Sequence, residues 1–252
     1  MYIIDDKNKN FYKKYGYLLI KNFFNKKDIF KLKSKILKYK KPTLNEKVHK
    51  YYEKNILNKR KQVLVRIENL YENDKTIKSL INSKIIKKNL KKLLGTDSIL
   101  FKEKINFKSP GTRADKLHQD SQAKWWKYTN EFVSVIISLQ DSDKKNGPLE
   151  VDISGNNHKK LINKKQKPLE IKELKNPKMK KIELKAKDAL FFNSFIPHQS
   201  KPNKSNKGRA QLYITFNKKS DGNFRKIYLK DKLKNFPPNN LRENNKKYLY
   251  KV

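Results

Sequence analysis

The chain has 252 residues and a formal net charge of +39, yet 36% of its residues are hydrophobic and 11% are aromatic. This apolar content predicts a folded chain with a substantial core and excludes a disordered polyelectrolyte. The absence of cysteine excludes a disulfide scaffold, a thiolate nucleophile, a cysteine-ligated zinc and an iron–sulfur cluster. No apolar run approaches ~20 residues and the N-terminus lacks a secretory pattern, so we expect a soluble cytoplasmic protein without a membrane span.

The basic charge raises the question of nucleic-acid binding. Only six of the 63 basic residues are arginine, the residue that base edges and bidentate phosphate contacts favour. The lysines are spread along the whole chain, which is typical of a compositional bias with solvated lysine faces. We therefore expect no specific nucleic-acid partner, although non-specific binding to polyanions at low salt is expected in either case.

The first 95 residues contain mainly helical signals. A short apolar run at 17–20 predicts a strand, and Asn25 is placed to cap a helix that ends near Leu37. Residues 40–60 are polar and have no clear pattern. From 76 to 94 the apolar residues follow helical spacing, and Gly95 occupies the position of a helix C-cap.

After Gly95 the pattern changes to short β-like runs separated by turn signals. These runs are 98–107, 132–139, 149–153, 180–184, 189–192 and 211–216. Helices followed by many short strands predict an α+β fold with a β-sandwich or barrel as its functional half. We expect a single domain over 1–252, with a helical part to 95, a β core over 96–220 and a C-terminal extension over 221–252. The extension is expected to wrap the body or to flank an opening.

Two of the four histidines lie in an informative pattern. His118 and Asp120 are two residues apart, so on an extended backbone their side chains point the same way. His198 follows a later apolar run and can deliver a second imidazole from a neighbouring strand. Two histidines and one carboxylate leave metal positions open and favour non-haem Fe(II). Arg209, eleven residues further on, can clamp a carboxylate.

With these motifs in place, the sequence resembles the phytanoyl-CoA dioxygenase family of Fe(II)/2-oxoglutarate-dependent oxygenases. The matching stretches are residues 15–24, 117–120, 146–151, 154–159 and 187–192, then His198-Gln199-Ser200 and Arg209. The resemblance covers most of the chain. It implies a double-stranded β-helix, or jelly-roll, core with flanking helices.

The resemblance also implies a catalytic centre. Fe(II) would be held by His118, Asp120 and His198, with 2-oxoglutarate and O₂ as co-substrates. Arg209 would bind the distal carboxylate of 2-oxoglutarate with Ser200 nearby, and Asn106 or Lys104 would make further contacts. Family relatives that halogenate have a small residue in place of the carboxylate, so Asp120 favours hydroxylation, with release of succinate and CO₂.

The substrate is expected to be a small polar or zwitterionic metabolite, such as the ectoine-like and aminoethylphosphonate-like substrates of family members. The candidate contacts are Gln122, Trp125 and Trp126, which follow the metal motif, and Arg113, which precedes it. An acyl-CoA or carrier-tethered substrate remains an alternative, as does a macromolecular one. A nucleic-acid-binding protein on a degenerate oxygenase fold is the other alternative. The chain is expected to be a monomer or homodimer, with His158 structural and His49 solvated.

Overall fold

The structure is a computed structural model, and it describes residues 2–40, 47–246 and 248. Within these residues the helices are α1 (Asp6–Tyr15), α2 (Lys26–Lys38), α3 (Lys75–Ile81), α4 (Lys84–Leu94) and α5 (Arg225–Asn235). The strands are β1 (Tyr17–Ile20), β2 (His49–Lys54), β3 (Gln62–Glu68), β4 (Ser98–Lys108), β5 (Asp115–His118), β6 (Phe132–Ser138), β7 (Leu149–Asp152), β8 (Met179–Ile182), β9 (Ala189–Asn193), β10 (His198–Ser200) and β11 (Arg209–Lys218).

The strands form two antiparallel sheets. One sheet has seven strands in the order β1-β9-β6-β11-β4-β3-β2, and the other has four in the order β5-β10-β7-β8. Apolar side chains from both sheets, among them Ile136, Val151 and Tyr213, form one buried cluster. Every residue of β6 is buried, because this strand lies inside the larger sheet and is covered on both faces. The expected α+β jelly-roll core is confirmed.

The helices cover the outer face of the larger sheet. Its outward side chains, such as Ile67, Ile105 and Leu212, share the largest apolar cluster with buried residues of α2, α3 and α4. Asn25 caps α2 as expected, since its side chain accepts a hydrogen bond from the backbone N–H of Asp28. Burial of these faces leaves the inner side of the sheet free to carry polar residues.

Two features of the N-terminal part differ from the sequence prediction. The helical pattern from 76 to 94 forms two helices, because α3 ends at Asn82 and α4 starts after Ser83. The part of 40–60 that is described contains β2, which pairs with β3 and extends the larger sheet; residues 41–46 lie outside the described residues. The segment before Gly95 therefore contributes three strands to the core sheet.

The C-terminal extension contains α5, which follows the last strand of the core. Tyr228 and Lys232 of this helix line the cavity that borders His118 and Asp120, which we call the main cavity, so the extension flanks an opening as expected. The division of the chain at 95 and 220 remains a prediction. None of the described helices is long and apolar enough to cross a membrane.

Candidate active site

The register of two short strands brings His118 and His198 together. His118 ends β5 and His198 begins β10, and the two residues are direct partners in the antiparallel ladder. Their ring centroids are 4.2 Å apart. Asp120 lies in the 3-10 turn that starts where β5 ends. One ligand atom from each of the three residues lies within 4.8 Å of the others, which suits a single metal ion.

Backbone carbonyls orient both imidazoles. Nδ1 of His118 lies 2.6 Å from the carbonyl oxygen of Lys116, and Nδ1 of His198 lies 3.0 Å from that of Ile196. A carbonyl only accepts, so each Nδ1 carries the proton and each Nε2 keeps its lone pair for a metal. Such hydrogen bonds fix the tautomer of metal-ligating histidines.

The protonation states also suit a metal. Burial, together with the neighbouring His198, lowers the pKa of His118 to about 3, so its imidazole is neutral at physiological pH. Burial opposes ionisation of Asp120, but His198 and Lys104 outweigh this effect and lower the pKa of its carboxyl. Two imidazoles and one carboxylate form the donor set typical of non-haem Fe(II).

Gln122 does not contact the cavity and instead stabilises the turn after the metal motif. Its Oε1 accepts a hydrogen bond from the backbone N–H of Gln119 at 2.9 Å. Its Nε2 donates to the carbonyl oxygens of Lys165 and Lys167. Both ends of its amide thus hold a loop, and the expected substrate contact by Gln122 remains a prediction.

The main cavity opens beside the candidate metal ligands and has a volume of about 270 Å³. Cationic and aromatic side chains dominate its wall. The lining residues include Arg66, Lys102, Lys104, His118, Asp120, Trp125, Tyr128, Tyr228, Asp231, Lys232 and Phe236. A cavity of this size next to a metal suits a small substrate.

Of the remaining candidate substrate contacts, only Trp125 borders this cavity. Trp126 lines a separate surface depression, where the amine of Lys164 lies 4.7 Å from its ring. Arg113 pairs with Glu53 at 3.0 Å, on the side of the molecule where β2 ends. Neither Trp126 nor Arg113 lines the cavity beside the metal ligands, and their expected substrate contacts remain predictions.

A second, smaller cavity of about 40 Å³ lies around Arg209. The guanidinium is buried, and its Nε and Nη2 donate to the carbonyl oxygen of Gly147 at 3.0 and 2.8 Å. Nη1 donates to Oε1 of Gln211. Arg66 borders both this cavity and the main one, so the two are neighbours.

Ser200 lies in the second cavity within a network that sequence reasoning missed. The amine of Lys108 donates to Oγ of Ser200 at 2.7 Å and to the carboxylate of Asp115 at 2.8 Å. Ser200 in turn donates to Asp115 at 2.5 Å. The sequence signal that could have found Lys108 is the alternation of side chains along β4. Lys108 is two residues beyond Asn106 and therefore faces the same side of the strand. Three cations, Arg66, Lys108 and Arg209, against two carboxylates, Glu53 and Asp115, leave this cavity suited to an anion.

The two candidate contacts on β4 separate between the cavities. Asn106 borders the second cavity, and its Oδ1 is buried without a hydrogen-bond partner among the described residues. Lys104 lines the main cavity instead, with its amine 4.9 Å from the ring centroid of Tyr213. Lys104 faces the same side of β4 as Asn106 but lies two residues earlier, at the main cavity, and its expected contact with 2-oxoglutarate remains a prediction.

The other two histidines lie away from this centre. The ring of His158 packs against Gly16, so closely that a Cβ at that glycine would lie 2.6 Å from it. Its Nε2 is 3.2 Å from the carbonyl oxygen of Lys13, which agrees with a structural role. His49 is half-buried on β2 rather than solvated, and burial lowers the pKa of its imidazole.

Comparison with solved structures defines the class: the fold is that of the jelly-roll oxygenases. EctD from S. alaskensis, crystallised with 2-oxoglutarate and 5-hydroxyectoine, matches with a TM-score of 0.69 at 16% identity, over 86% of this chain and 77% of that one. SnoK, a non-haem α-ketoglutarate-dependent carbocyclase of nogalamycin biosynthesis, matches with a TM-score of 0.66 at 14% identity, over 84% and 83%.

The sequence pattern of the phytanoyl-CoA dioxygenase (PhyH) family matches residues 12–211, and the chain belongs to that family. A 2-aminoethylphosphonate dioxygenase of uncultured bacterium HF130_AEPn_1 is 32% identical over 187 residues, which cover 74% of this chain and 71% of the relative. A methylphosphonate hydroxylase of Gimesia maris is 31% identical over 144 residues, 57% of this chain and 55% of the relative. The chain is thus a dioxygenase of the PhyH family.

Proposed function

We propose that this protein hydroxylates a small phosphonate, with Fe(II) held by His118, Asp120 and His198 and with 2-oxoglutarate and O₂ as co-substrates. The observation that carries the proposal is the cross-strand pair of histidines, which completes a two-histidine, one-carboxylate set at the mouth of a small cavity. Two relatives are named for phosphonate substrates, and the volume of about 270 Å³ suits molecules of that size.

The bound iron, with 2-oxoglutarate and O₂, supplies the oxidising power for hydroxylation. In the overall reaction one oxygen atom enters the substrate C–H bond as hydroxyl, and the other enters succinate as CO₂ leaves. The residues of the two cavities would bind and orient the two substrates beside the metal. His118 and His198 present Nε2 because their Nδ1 protons are used by backbone carbonyls.

Arg209 and Lys108 would bind the distal carboxylate of 2-oxoglutarate in the second cavity. Both cations are buried, so an anion between them would be shielded from water. Ser200 stands between Lys108 and Asp115, and its hydroxyl would reach the same carboxylate by turning away from Asp115. The amide nitrogen of Asn106, which borders this cavity, would donate a further hydrogen bond to the same carboxylate.

The direct test is phosphonate-dependent turnover of purified protein. Methylphosphonate and 2-aminoethylphosphonate would be supplied with Fe(II), 2-oxoglutarate and O₂, and succinate and the hydroxylated product would be measured. We expect product and succinate in a one-to-one ratio, and neither from the Asp120→Ala variant. Succinate release that no phosphonate stimulates would contradict the proposed substrate class, whereas full turnover by Asp120→Ala would contradict the metal site.

A further inference from the structure

The wall of the main cavity contains two lysines that lack a counter-ion. Lys102 and Lys104 alternate along the inner face of β4, and among the described residues neither takes part in an ion pair. The amine of Lys102 lies 4.7 Å from the ring centroid of Trp125 and 5.5 Å from that of Tyr228. Aromatic faces compensate a buried ammonium only in part, so this wall favours an anion.

A third lysine reaches the same cavity from the C-terminal helix. Lys232 of α5 forms an ion pair with the buried carboxylate of Glu68, which also lies 3.7 Å from Arg66. One carboxylate therefore serves two cations. Burial lowers the pKa of Lys232 to about 8, and burial with two neighbouring ammonium groups holds the pKa of Lys102 well below its usual value. The cavity wall therefore has more basic groups than carboxylates, and a bound anion would hold this basic surplus in its charged form.

The two carboxylates that line the cavity do not offset this surplus. Asp120 belongs to the candidate metal centre. Asp231 is exposed at the rim, where it accepts a hydrogen bond from the hydroxyl of Tyr128 at 2.5 Å. The interior beside the metal ligands is thus cationic, with its positive groups on β3, β4 and α5.

We infer that Lys102, Lys104 and Lys232 form a cradle for the phosphonate group of the substrate, and that this cradle selects a doubly charged phosphonate over a singly charged carboxylate. The inference rests on the proposed function and deepens it. Three ammonium donors suit a group with three oxygens and a charge near −2. Lys232 lies beyond residue 211, where the family match ends, so α5 supplies a specificity determinant of this chain.

The experiment is calorimetric titration of 2-aminoethylphosphonate and methylphosphonate into anaerobic protein, with and without Fe(II) and 2-oxoglutarate. β-Alanine and acetate serve as the corresponding carboxylates. Lys102→Met and Lys232→Met remove one charge each and keep an apolar stem, and Lys180→Met, on the exposed face of β8, is the matched control. We expect a loss of phosphonate affinity of roughly tenfold or more in each cavity variant and none in the control.

The carboxylates are expected to bind the unmodified protein roughly tenfold more weakly than the phosphonates. Thermal melting verifies that each variant is folded, and Lys104→Gln replaces Lys102→Met if that variant does not fold. Unchanged phosphonate affinity in the folded cavity variants, or equal affinity for carboxylates, would overturn the cradle. Lysine-dependent phosphonate binding without succinate release would support the cradle while contradicting the proposed function.

Discussion

Two backbone carbonyls determine which nitrogen of each active-site histidine is available. The carbonyls of Lys116 and Ile196 each lie two residues before the histidine that they orient. This repeated geometry gives both imidazoles the same tautomer. The ligand set could be predicted from sequence spacing, but the tautomers could not, because they depend on local backbone geometry.

Arg209→Ala is expected to weaken 2-oxoglutarate binding by roughly tenfold to hundredfold, because a buried charge-assisted hydrogen bond is lost. The measurement is the 2-oxoglutarate concentration that gives half-maximal succinate formation. Arg60→Ala, at an exposed arginine, is the matched control and should leave it unchanged. An unaltered 2-oxoglutarate requirement in Arg209→Ala would refute the role of this residue.

Glu68 makes the stability of the protein sensitive to acid. Burial alone would raise the pKa of its carboxyl, but Lys232, Arg66 and Lys102 lower it to about 2, from an ordinary value of 4.5. Its contribution to stability is therefore complete above about pH 4.5 and is lost as the pH falls toward about 2.

We accordingly expect Glu68→Gln to lose on the order of 3 kcal/mol of unfolding free energy at pH 7, because the buried Lys232 loses its carboxylate partner. As the pH is lowered from 4.5 to 3, the free energy of unfolding should fall less in the variant than in the unmodified protein. Urea unfolding at a series of pH values measures both quantities. Parallel stability curves for the two proteins over this range would rule out Glu68 as the titrating group.

Among the elements, the sequence predicted those with strong local signals. The helix capped by Asn25 and the buried strands of the core follow from capping chemistry and apolar runs. The β2–β3 hairpin was missed because β2, at the edge of its sheet, has only one buried residue, Tyr51. The break between α3 and α4 was missed because neither Asn82 nor Ser83 interrupts the apolar spacing.

Gly16 joins α1 to β1 in a left-handed conformation, with φ of 78°. Gly16→Ala would place a Cβ 2.6 Å from the ring of His158, whereas Gly95, with φ of 76°, has open space at the same position. We expect about 1 kcal/mol of destabilisation in Gly95→Ala from backbone strain alone. Gly16→Ala should lose about 1–3 kcal/mol more, through overpacking. Equal unfolding free energies for the two variants would contradict the close packing of His158.

In the whole molecule, the lysines that give the net charge of +39 fall into two groups, one on the surface and one in the interior. The even spread of the lysines along the sequence predicts solvated side chains, and most of the lysines are exposed or half-buried. Lys102, Lys104, Lys108 and Lys232 could not be singled out from the sequence. The two cavities that they line are created by the pairing of β3, β4 and β11 and by the docking of α5. The metal ligands were predictable from short spacing and family motifs, whereas the cavity lining depends on tertiary packing.

The central claim is that His118, Asp120 and His198 hold Fe(II) for a reaction that consumes 2-oxoglutarate. Anaerobic titration of the metal-free protein with Fe(II) and 2-oxoglutarate, followed in the visible range, tests it most directly. We predict a weak charge-transfer band in the unmodified protein and its loss in a folded Asp120→Ala variant, with succinate formed by the former on admission of O₂. A folded protein that gives neither band nor succinate, or an equal band in Asp120→Ala, would contradict the account.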